Sequence, residues 1–248
     1  MITLIETEFL KLKRSKTFYL VLLGAVAPAI LMFIALLYIK FSNSHPVIMS
    51  EFYDMIIQTS VWFFNIILYS LVGGYIIANE YNNHTIKSII TAPISRTRFV
   101  IGKWITFELI VILLAVLSFA FSTVFGYVGG ALEITSNVVG EAFNSYLTGS
   151  ILLSLPMSIF LFLGFLFKNP TAPVIIGVVI GFSNTLLMGR EFAALTPYLS
   201  PYLYLTGQLG KGVFASYGVV TPWAILVTVA LLGVVLSLIY FKKADISL

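Results

Sequence analysis

Cysteine is absent from this 248-residue chain, and histidine occurs only twice. Without cysteine there is no disulfide framework, no thiolate metal site and no Cys nucleophile. The two histidines, His45 and His84, lie in different loops with a long apolar run between them, so they cannot share a metal ion. The sequence therefore predicts no metal site.

Charged residues are scarce as well: they make up 10% of the chain, while 59% is hydrophobic and the mean hydropathy is +1.03. Such values exclude an ordinary soluble domain and indicate a polytopic membrane protein. A membrane span needs about 20 mostly apolar residues, and six such runs occur. They cover residues 17–39, 57–78, 105–128, 147–167, 172–188 and 221–241. Because these runs lack the alternation of barrel strands, each is predicted to be a helix, which makes the fold all-α, with one transmembrane domain over residues 1–248.

The basic residues are distributed unevenly among the loops. With the N-terminus in the cytoplasm, eleven of the 14 Lys and Arg residues fall on the inner side, and only Lys40, Arg190 and Lys211 fall outside. The positive-inside rule then predicts that both termini are cytoplasmic. The net charge of +4 is therefore a topology signal and does not indicate nucleic-acid binding.

Two segments outside the apolar runs have a helical pattern of their own. The N-terminal segment carries an apolar stripe made by Ile2, Ile5, Phe9 and Leu12. The charged residues predicted to lie off this stripe are Glu6, Glu8, Lys11 and Lys13. The pattern is typical of a helix lying on the inner membrane surface, and a plain lead-in to the first span is the alternative. The segment from Gly189 to Val220 is too broken by Pro and Gly to span and too apolar for a free loop, so we predict short helices in the outer leaflet.

A cationic insert, ANEYNNHTIKSIITAPISRTRFVIGKW, separates the second and third runs. Ile86, Ile89 and Ile90 fall at i, i+3 and i+4, which predicts a short amphipathic helix. Pro93 ends this helix, and Ser95 can cap a second helix that leads into the third run. From the pattern alone, such an elbow either lies on anionic lipid head groups or fills a groove on another protein.

The lead segment, the six runs and this insert together resemble an ABC-2 type transporter permease over the full length of the chain. The residues that carry the resemblance in the insert are Glu80, His84-Thr85, Pro93-Ile94-Ser95-Arg96 and Gly102-Lys103. His84 departs from the family pattern, which more often has Gly before the Thr.

In that family the insert is the coupling helix, which docks in a groove on a separate cytoplasmic ATPase. The resemblance implies that Glu80 and Arg96 brace the elbow. The residues that it implies for the docking contacts are Thr85, Ile86, Ser88, Ile89 and Ile90. It also implies a second permease copy, identical or not.

Several enzyme motifs are missing, in agreement with this resemblance. There is no G-x-x-x-x-G-K-[ST] loop to hold ATP phosphates, and no H-E-x-x-H or G-x-S-x-G motif that indicates a hydrolase. We therefore expect no enzyme activity and no cofactor in this chain, and we expect the partner ATPase to bind ATP and Mg²⁺.

Polar residues in the second run are candidates for the substrate pathway. They are spaced i, i+4, i+7 and i+11 and are Gln58, Trp62, Asn65 and Tyr69. This spacing puts them on one face of a regular helix, where hydrogen bonding within one subunit is the alternative role. In the family, spans one, two and five surround the pathway, so Asn184 is predicted to join it. The small or kinked residues predicted to form a packing or dimer face are Gly24, Pro28, Gly177 and Gly181.

Glu108 is a carboxylate inside the third run. An ionisable residue within a span is a functional candidate by default. Here Lys103 and Arg98 are close enough along the helix to be its partners, so a structural role is favoured.

The predicted cargo is hydrophobic or amphipathic, because the pathway carries aromatics and amides but no basic ring. The small size and short outer loops resemble permeases that export bacitracin, lantibiotics or cytolytic peptides such as phenol-soluble modulins, or confer immunity to them. We expect an exporter of such peptides in the bacterial plasma membrane. Export of lipids or small drugs fits the same chemistry, and an ATPase-independent carrier is the alternative from another class.

Overall fold

The computed structural model describes residues 2–13, 15–42, 46–83, 85 and 95–243. Most of these residues are helical. The helices are α1 (Ile2–Lys13), α2 (Lys16–Phe41), α3 (Met49–Thr59), α4 (Asn65–Asn82), α5 (Arg96–Gly129), α6 (Ser136–Met157), α7 (Ile159–Phe167), α8 (Thr171–Leu187), α9 (Ser200–Leu205) and α10 (Val220–Lys243). A π turn, Ser60–Phe64, joins α3 to α4 without interrupting the helical rod.

The predicted all-α membrane fold is confirmed, and each of the six apolar runs coincides with helix. Among the described residues, four rods are long and apolar enough to cross a membrane, and a fifth span results if α6 and α7 are taken together across their 42° bend. The remaining run, residues 172–188 and the fifth in chain order, corresponds to α8, which has 17 residues. At about 1.5 Å per residue, α8 is somewhat shorter than the 30 Å hydrocarbon thickness, so a sixth crossing stays a prediction.

Two of the helical rods begin well before the spans predicted for them, whose membrane bounds stay a prediction. The second helical rod begins at Met49, eight residues before the predicted start at Ile57. The fourth begins at Ser136, with Thr135 accepting from the Val138 amide at 3.4 Å as its N-cap. In both cases the polar first turns extend beyond the apolar run, so hydropathy alone misses them. The bend after Met157 follows Pro156, which lacks the amide hydrogen that a regular helix requires.

The helix α4 lies at the centre of the bundle, and glycines bring its neighbours close. A Cβ on Gly73 would lie 3.1 Å from Phe160 of α7, and a Cβ on Gly74 would lie 2.8 Å from Pro173 of α8. Gly164 of α7 lies against the α4 backbone in the same way. Small residues at such contacts allow the tight backbone packing that stabilises helices in lipid. The position of α4 is therefore fixed on two sides.

The segment between α8 and α10 contains short helices, as predicted. Two 3₁₀ turns, Glu191–Leu195 and Gly212–Tyr217, flank α9. The Leu205 side chain at the end of α9 packs directly against Gly149 of α6, where an added Cβ would lie 2.7 Å from Leu205 Cδ1. This segment is packed onto the bundle, and its depth in the membrane stays a prediction.

Candidate functional site

The end of α4 and the start of α5 are joined by a buried ion pair. Lys103 Nζ lies 2.6 Å from Glu80 Oε1, and each side chain is 1% exposed. The insert between α4 and α5, residues 83–95, is the segment predicted to form the elbow. The ion pair therefore lies at the base of the elbow and ties its two flanking helices together.

The N-terminal helix α1 completes this site with a second carboxylate and a second ammonium group. Glu8 accepts from Lys103 at 2.5 Å and from Lys11 at 3.0 Å, while Lys11 also donates to Glu80 at 2.7 Å. We call these four residues, Glu8, Lys11, Glu80 and Lys103, the charge cluster. It holds two positive and two negative charges, and it links the N-terminal helix α1 to the consecutive helices α4 and α5.

The hydrogen bonds in the charge cluster satisfy Lys103 fully. Its ammonium group has three donors, and the third bond goes to the Ile76 carbonyl at 3.2 Å. The ammonium also lies 5.2 Å from the centre of the Phe99 ring. Complete pairing matters because removing one partner from a buried ion pair typically costs about 3–5 kcal/mol.

Lys11 is the most exposed member of the charge cluster, with 35% of its side chain accessible. Burial lowers its pKa, but the hydrogen bond to Glu80 and the charges of Glu8 and Glu80 outweigh this effect, so that the pKa is raised above its usual value. Lys11 therefore stays protonated throughout the physiological range.

Glu80 also reaches the first part of the elbow. The Thr85 hydroxyl donates to the Glu80 carboxylate and lies 3.2 Å from the Glu80 carbonyl oxygen. The remaining residues of the predicted docking surface, which are Ile86, Ser88, Ile89 and Ile90, lie outside the described part of the chain, as do Pro93 and His84. Their contact with an ATPase stays a prediction.

The far end of the elbow is attached to the last long helix. Ser95 caps α5 as predicted, accepting from the Arg98 amide at 3.3 Å. The Arg96 guanidinium donates to the carbonyl oxygens of Phe241 at 3.1 Å and Lys242 at 2.9 Å. These carbonyls belong to the C-terminal turn of α10, where a cation is favourably placed by the helix dipole. Glu80 and Arg96 thus hold opposite ends of the elbow to different helices, and a bracing role under load stays a prediction.

Glu8 was not predicted to be a site residue, and the face of α1 on which it lies was predicted wrongly. The N-terminal helix itself is confirmed, but the expectation that Glu8 lies on its outward polar face is wrong, because Glu8 is 5% exposed. Its position relative to the buried Leu12 was a usable signal: Glu8 lies four residues before Leu12, on the same face of the helix. Only the tertiary structure shows the two lysines that make this position favourable for a carboxylate.

The predicted polar face of the second run is interrupted by the π turn. A π turn adds a residue to the helical turn, so these four residues depart from a regular i, i+4, i+7, i+11 alignment, and their role in a substrate pathway stays a prediction. Tyr69 is buried, with its ring edge-on to Phe107 at 6.3 Å. Trp62 instead lies 6.4 Å from the Tyr202 ring of α9. The other two residues of that face, Gln58 and Asn65, are half-buried.

Asn184 of α8 is buried and donates to the Trp62 carbonyl at 3.4 Å. The same face of α8 carries two of the predicted glycines. A Cβ on Gly177 would lie 2.6 Å from Ser70 Cβ, and one on Gly181 would lie 3.2 Å from Phe63 Cδ2. These contacts join α8 to the second rod of the same chain.

The first-span members of the predicted packing or dimer face also contact this chain. A Cβ on Gly24 would lie 2.7 Å from Leu68 Cδ1, and Pro28 is buried within α2. The contacts of Gly24, like those of the α8 glycines, fit packing within one subunit. A role facing a second permease stays a prediction.

Glu108 does not pair with Lys103, so that prediction is wrong. Lys103 pairs instead with Glu8 and Glu80, and two carboxylates attract its ammonium group more strongly than Glu108 alone would. Glu108 accepts from the Ser154 hydroxyl of α6 at 2.7 Å, and its other oxygen has no hydrogen-bond partner among the described residues.

The fold and this site define an all-α, multi-pass membrane protein whose second and third long helical rods are tied at the base of a cationic elbow. The family described as ABC-2 family transporter protein matches residues 4–184, which is more than half of the chain. The chain therefore belongs to the ABC-2 transporter family. It is also similar to the bacitracin transport permease protein BCRB of Bacillus licheniformis, with 26% identity over 179 residues that cover 72% of this chain and 84% of the relative. Relatives of this kind are membrane transport subunits rather than catalytic ones.

Proposed function

We propose that this chain is the permease subunit of an ATP-driven ABC exporter that moves hydrophobic or amphipathic peptides out of the membrane or cytoplasm. ABC-2 permeases typically pair with a cytoplasmic ATPase, and the relative from Bacillus licheniformis is named for transport of bacitracin, a peptide. Antimicrobial peptides and cytolytic peptides such as phenol-soluble modulins belong to this chemical class. In this proposal the protein lies in the bacterial plasma membrane with both termini in the cytoplasm.

The charge cluster is the observation that carries this proposal. An elbow that only rested on lipid would need no fixed connection to the spans. Here the helix before the elbow and the helix after it are joined at Glu80 and Lys103, with Glu8 completing the contact. A force applied to the elbow is therefore transmitted to the two long helices together, which is what coupling to an ATPase requires.

In the working complex, two permeases, identical or not, and two ATPase subunits are proposed to act together. The ATPase binds ATP and Mg²⁺ and contacts Thr85, Ile86, Ser88, Ile89 and Ile90. Its closure displaces the elbow, and the Arg96 bonds to α10 carry part of that displacement to the last helix. The substrate then leaves along a pathway bordered by the second rod and α8.

Copurification and ATP hydrolysis test this function together. The permease is purified with its ATPase, reconstituted, and assayed for hydrolysis stimulated by amphipathic peptides, small drugs and added lipids. We expect peptides to stimulate hydrolysis, and we expect Ile89→Asp to release the ATPase, while Glu6→Gln on exposed α1 surface leaves the complex intact. Stimulation by drugs or lipids alone would replace the peptide assignment, and transport without any ATPase would replace the exporter by a carrier.

A further inference from the structure

Three carboxyl groups in the described part of the chain are buried or half-buried, and they are of two kinds. Glu8 and Glu80 each lie within 3.0 Å of two ammonium groups. Glu108 forms no ion pair with a described residue, and its Oε1 is buried without a hydrogen-bond partner among them. A buried carboxylate ion is unfavourable unless it is paired, so Glu108 differs physically from the other two.

In the described structure, no helix that packs against α5 brings a cation to Glu108. From α4 the titratable group that interacts with it is the Tyr69 hydroxyl, and from α6 its partner is the Ser154 hydroxyl. Of the α1 lysines, Lys11 bonds within the charge cluster and Lys13 is exposed. The basic residues of α2 and α10 lie in their terminal turns, and the charged residues of α3 and α6 are acidic. Glu108 therefore has no counter-ion in this part of the chain.

The Ser154 hydroxyl has two oxygen neighbours but only one hydrogen. Its oxygen lies 2.7 Å from Glu108 Oε2 and 2.8 Å from the Ile151 carbonyl oxygen. A carbonyl oxygen and a carboxylate ion both accept only, so one hydrogen cannot form full bonds to both. An oxygen–oxygen distance of about 2.7 Å is typical of an O–H···O hydrogen bond whichever oxygen donates. The missing hydrogen is supplied if Glu108 carries a proton.

Ser122 of α5 has the same arrangement with a neighbour that does carry a hydrogen. Its hydroxyl donates to the Ser118 carbonyl at 2.6 Å and lies 2.6 Å from the Tyr146 hydroxyl oxygen. Because the Ser122 hydrogen is used on the carbonyl, Tyr146 donates the second one. A protonated Glu108 would donate to Ser154 in the same way.

We propose that Glu108 is a proton-binding site that joins α5 to α6. In the packed bundle its side chain is a neutral carboxylic acid, its Oε2–H group donates to Ser154 Oγ, and Ser154 donates to the Ile151 carbonyl. The buried Oε1 is then the carbonyl oxygen of an uncharged acid, which costs less to leave unpaired than a carboxylate oxygen. Separation of α5 from α6 admits water, in which a glutamate side chain is ionised at neutral pH, so the proton belongs to the closed contact.

Infrared spectroscopy of the purified permease distinguishes the acid from its ion. A carboxylic acid has a C=O band that is well separated from the bands of a carboxylate, and a detergent without carbonyl groups leaves that region clear. At neutral pH we expect the wild-type chain to show an acid band that Glu108→Gln lacks. Glu6→Gln, at an exposed position on α1, is the matched control and should remove carboxylate bands only. A Glu108→Gln difference spectrum that contains only carboxylate bands would overturn the proposal.

Replacing Ser154 tests the direction of the hydrogen bond and covers the case in which Glu108→Gln does not fold. Ser154→Ala leaves Glu108 in place and removes the acceptor of its hydrogen, so we expect the acid band to persist and to move to higher frequency. Ser118→Ala is the matched control, because the buried Ser118 hydroxyl has no hydrogen-bond partner among the described residues, and it should leave the band unchanged. A band unmoved by Ser154→Ala, or moved equally by both variants, would refute the contact. Neither measurement needs the ATPase, so the outcome is independent of the proposed exporter function.

Discussion

Replacing Glu8 by Gln tests whether the charge cluster holds α1 to the base of the elbow. Glu8 accepts from Lys103 at 2.5 Å and from Lys11 at 3.0 Å in a site where Lys103 is 1% exposed. The substitution keeps the size of the side chain and removes its charge. Two ammonium groups then share the single carboxylate of Glu80, which leaves the charge cluster with one uncompensated positive charge.

The loss of stability in Glu8→Gln depends on the ion pairs that Lys103 keeps. Complete loss of a partner from a buried ion pair costs about 3–5 kcal/mol, and because Lys103 keeps Glu80 we expect the lower limit, about 3 kcal/mol. For a chain of this size, 1 kcal/mol changes Tm by roughly 2–4 °C, so the Tm of the purified permease should fall by about 6–12 °C. The measurement is thermal unfolding in detergent or nanodiscs at constant pH and salt.

Two further variants make this result interpretable. Glu6→Gln removes a carboxylate from the exposed surface of the same helix, and we expect it to change the Tm by less than about 2 °C. Adding Lys11→Met to Glu8→Gln restores the charge balance around the Glu80–Lys103 pair, so the double variant should be more stable than Glu8→Gln alone. Equal losses for Glu8→Gln and Glu6→Gln would refute our account of the charge cluster.

Three other predictions concern separate contacts. Gly177→Ala places a Cβ 2.6 Å from Ser70 Cβ and should destabilise the permease by about 1–3 kcal/mol in thermal unfolding, whereas Gly140→Ala, with open space around it, should not. Arg96→Gln removes two hydrogen bonds to the last turn of α10 and should reduce peptide-stimulated ATP hydrolysis more than basal hydrolysis. Arg98→Gln, at an exposed position, serves as its control. Equal reductions by both variants would contradict a specific role of Arg96 in coupling. Because the pKa of Lys11 is raised, the charged Lys11 side chain stabilises the fold fully below about pH 10.5, and this stabilisation is lost as the pH rises through the raised pKa. We therefore expect the wild-type protein to be more stable than Lys11→Met at pH 7. In strongly alkaline buffer, the stability of the wild-type protein should fall toward that of Lys11→Met.

The helical architecture could be predicted from local composition because lipid leaves the backbone few alternatives. An apolar run of about 20 residues cannot leave its amides unpaired in hydrocarbon, so it becomes a helix whatever its neighbours are. The cap at Ser95 and the break after Pro156 follow from equally local chemistry. The polar starts of the second and fourth rods could not be predicted from hydropathy, since their first turns lie beyond the apolar runs.

The candidate site depended much more on tertiary contacts. Glu80 and Arg96 were singled out by their position in a family pattern, but nothing local indicates that Glu80 bonds to Lys103 or that Arg96 reaches the α10 carbonyls. Glu8 and Lys103 are separated by 95 positions in the chain. From sequence alone, a charged residue on a short amphipathic helix is expected to face solvent, because its counter-ion lies on a helix that is distant in the chain.

Periodicity also failed where the second rod departs from a regular helix. The spacing of Gln58, Trp62, Asn65 and Tyr69 assumes 3.6 residues per turn throughout, and the π turn at Ser60–Phe64 changes that phase. The turn is packed against Gly181 and Asn184 of α8, which are distant in sequence, so the local pattern carries no sign of it.

Residue composition and the order of apolar and basic segments were thus enough to establish an all-α membrane protein and to direct attention to its cationic elbow. They act through interactions with lipid and water, which every residue experiences independently of its distant neighbours. The pairing of Glu8 with Lys103, the widened turn at Trp62 and the attachment of Arg96 to the last helix arose only when the helices packed together. The partners of buried charges and of buried hydrogen-bonding groups depend on which side chains come into contact, and only the packing of the helices determines those contacts.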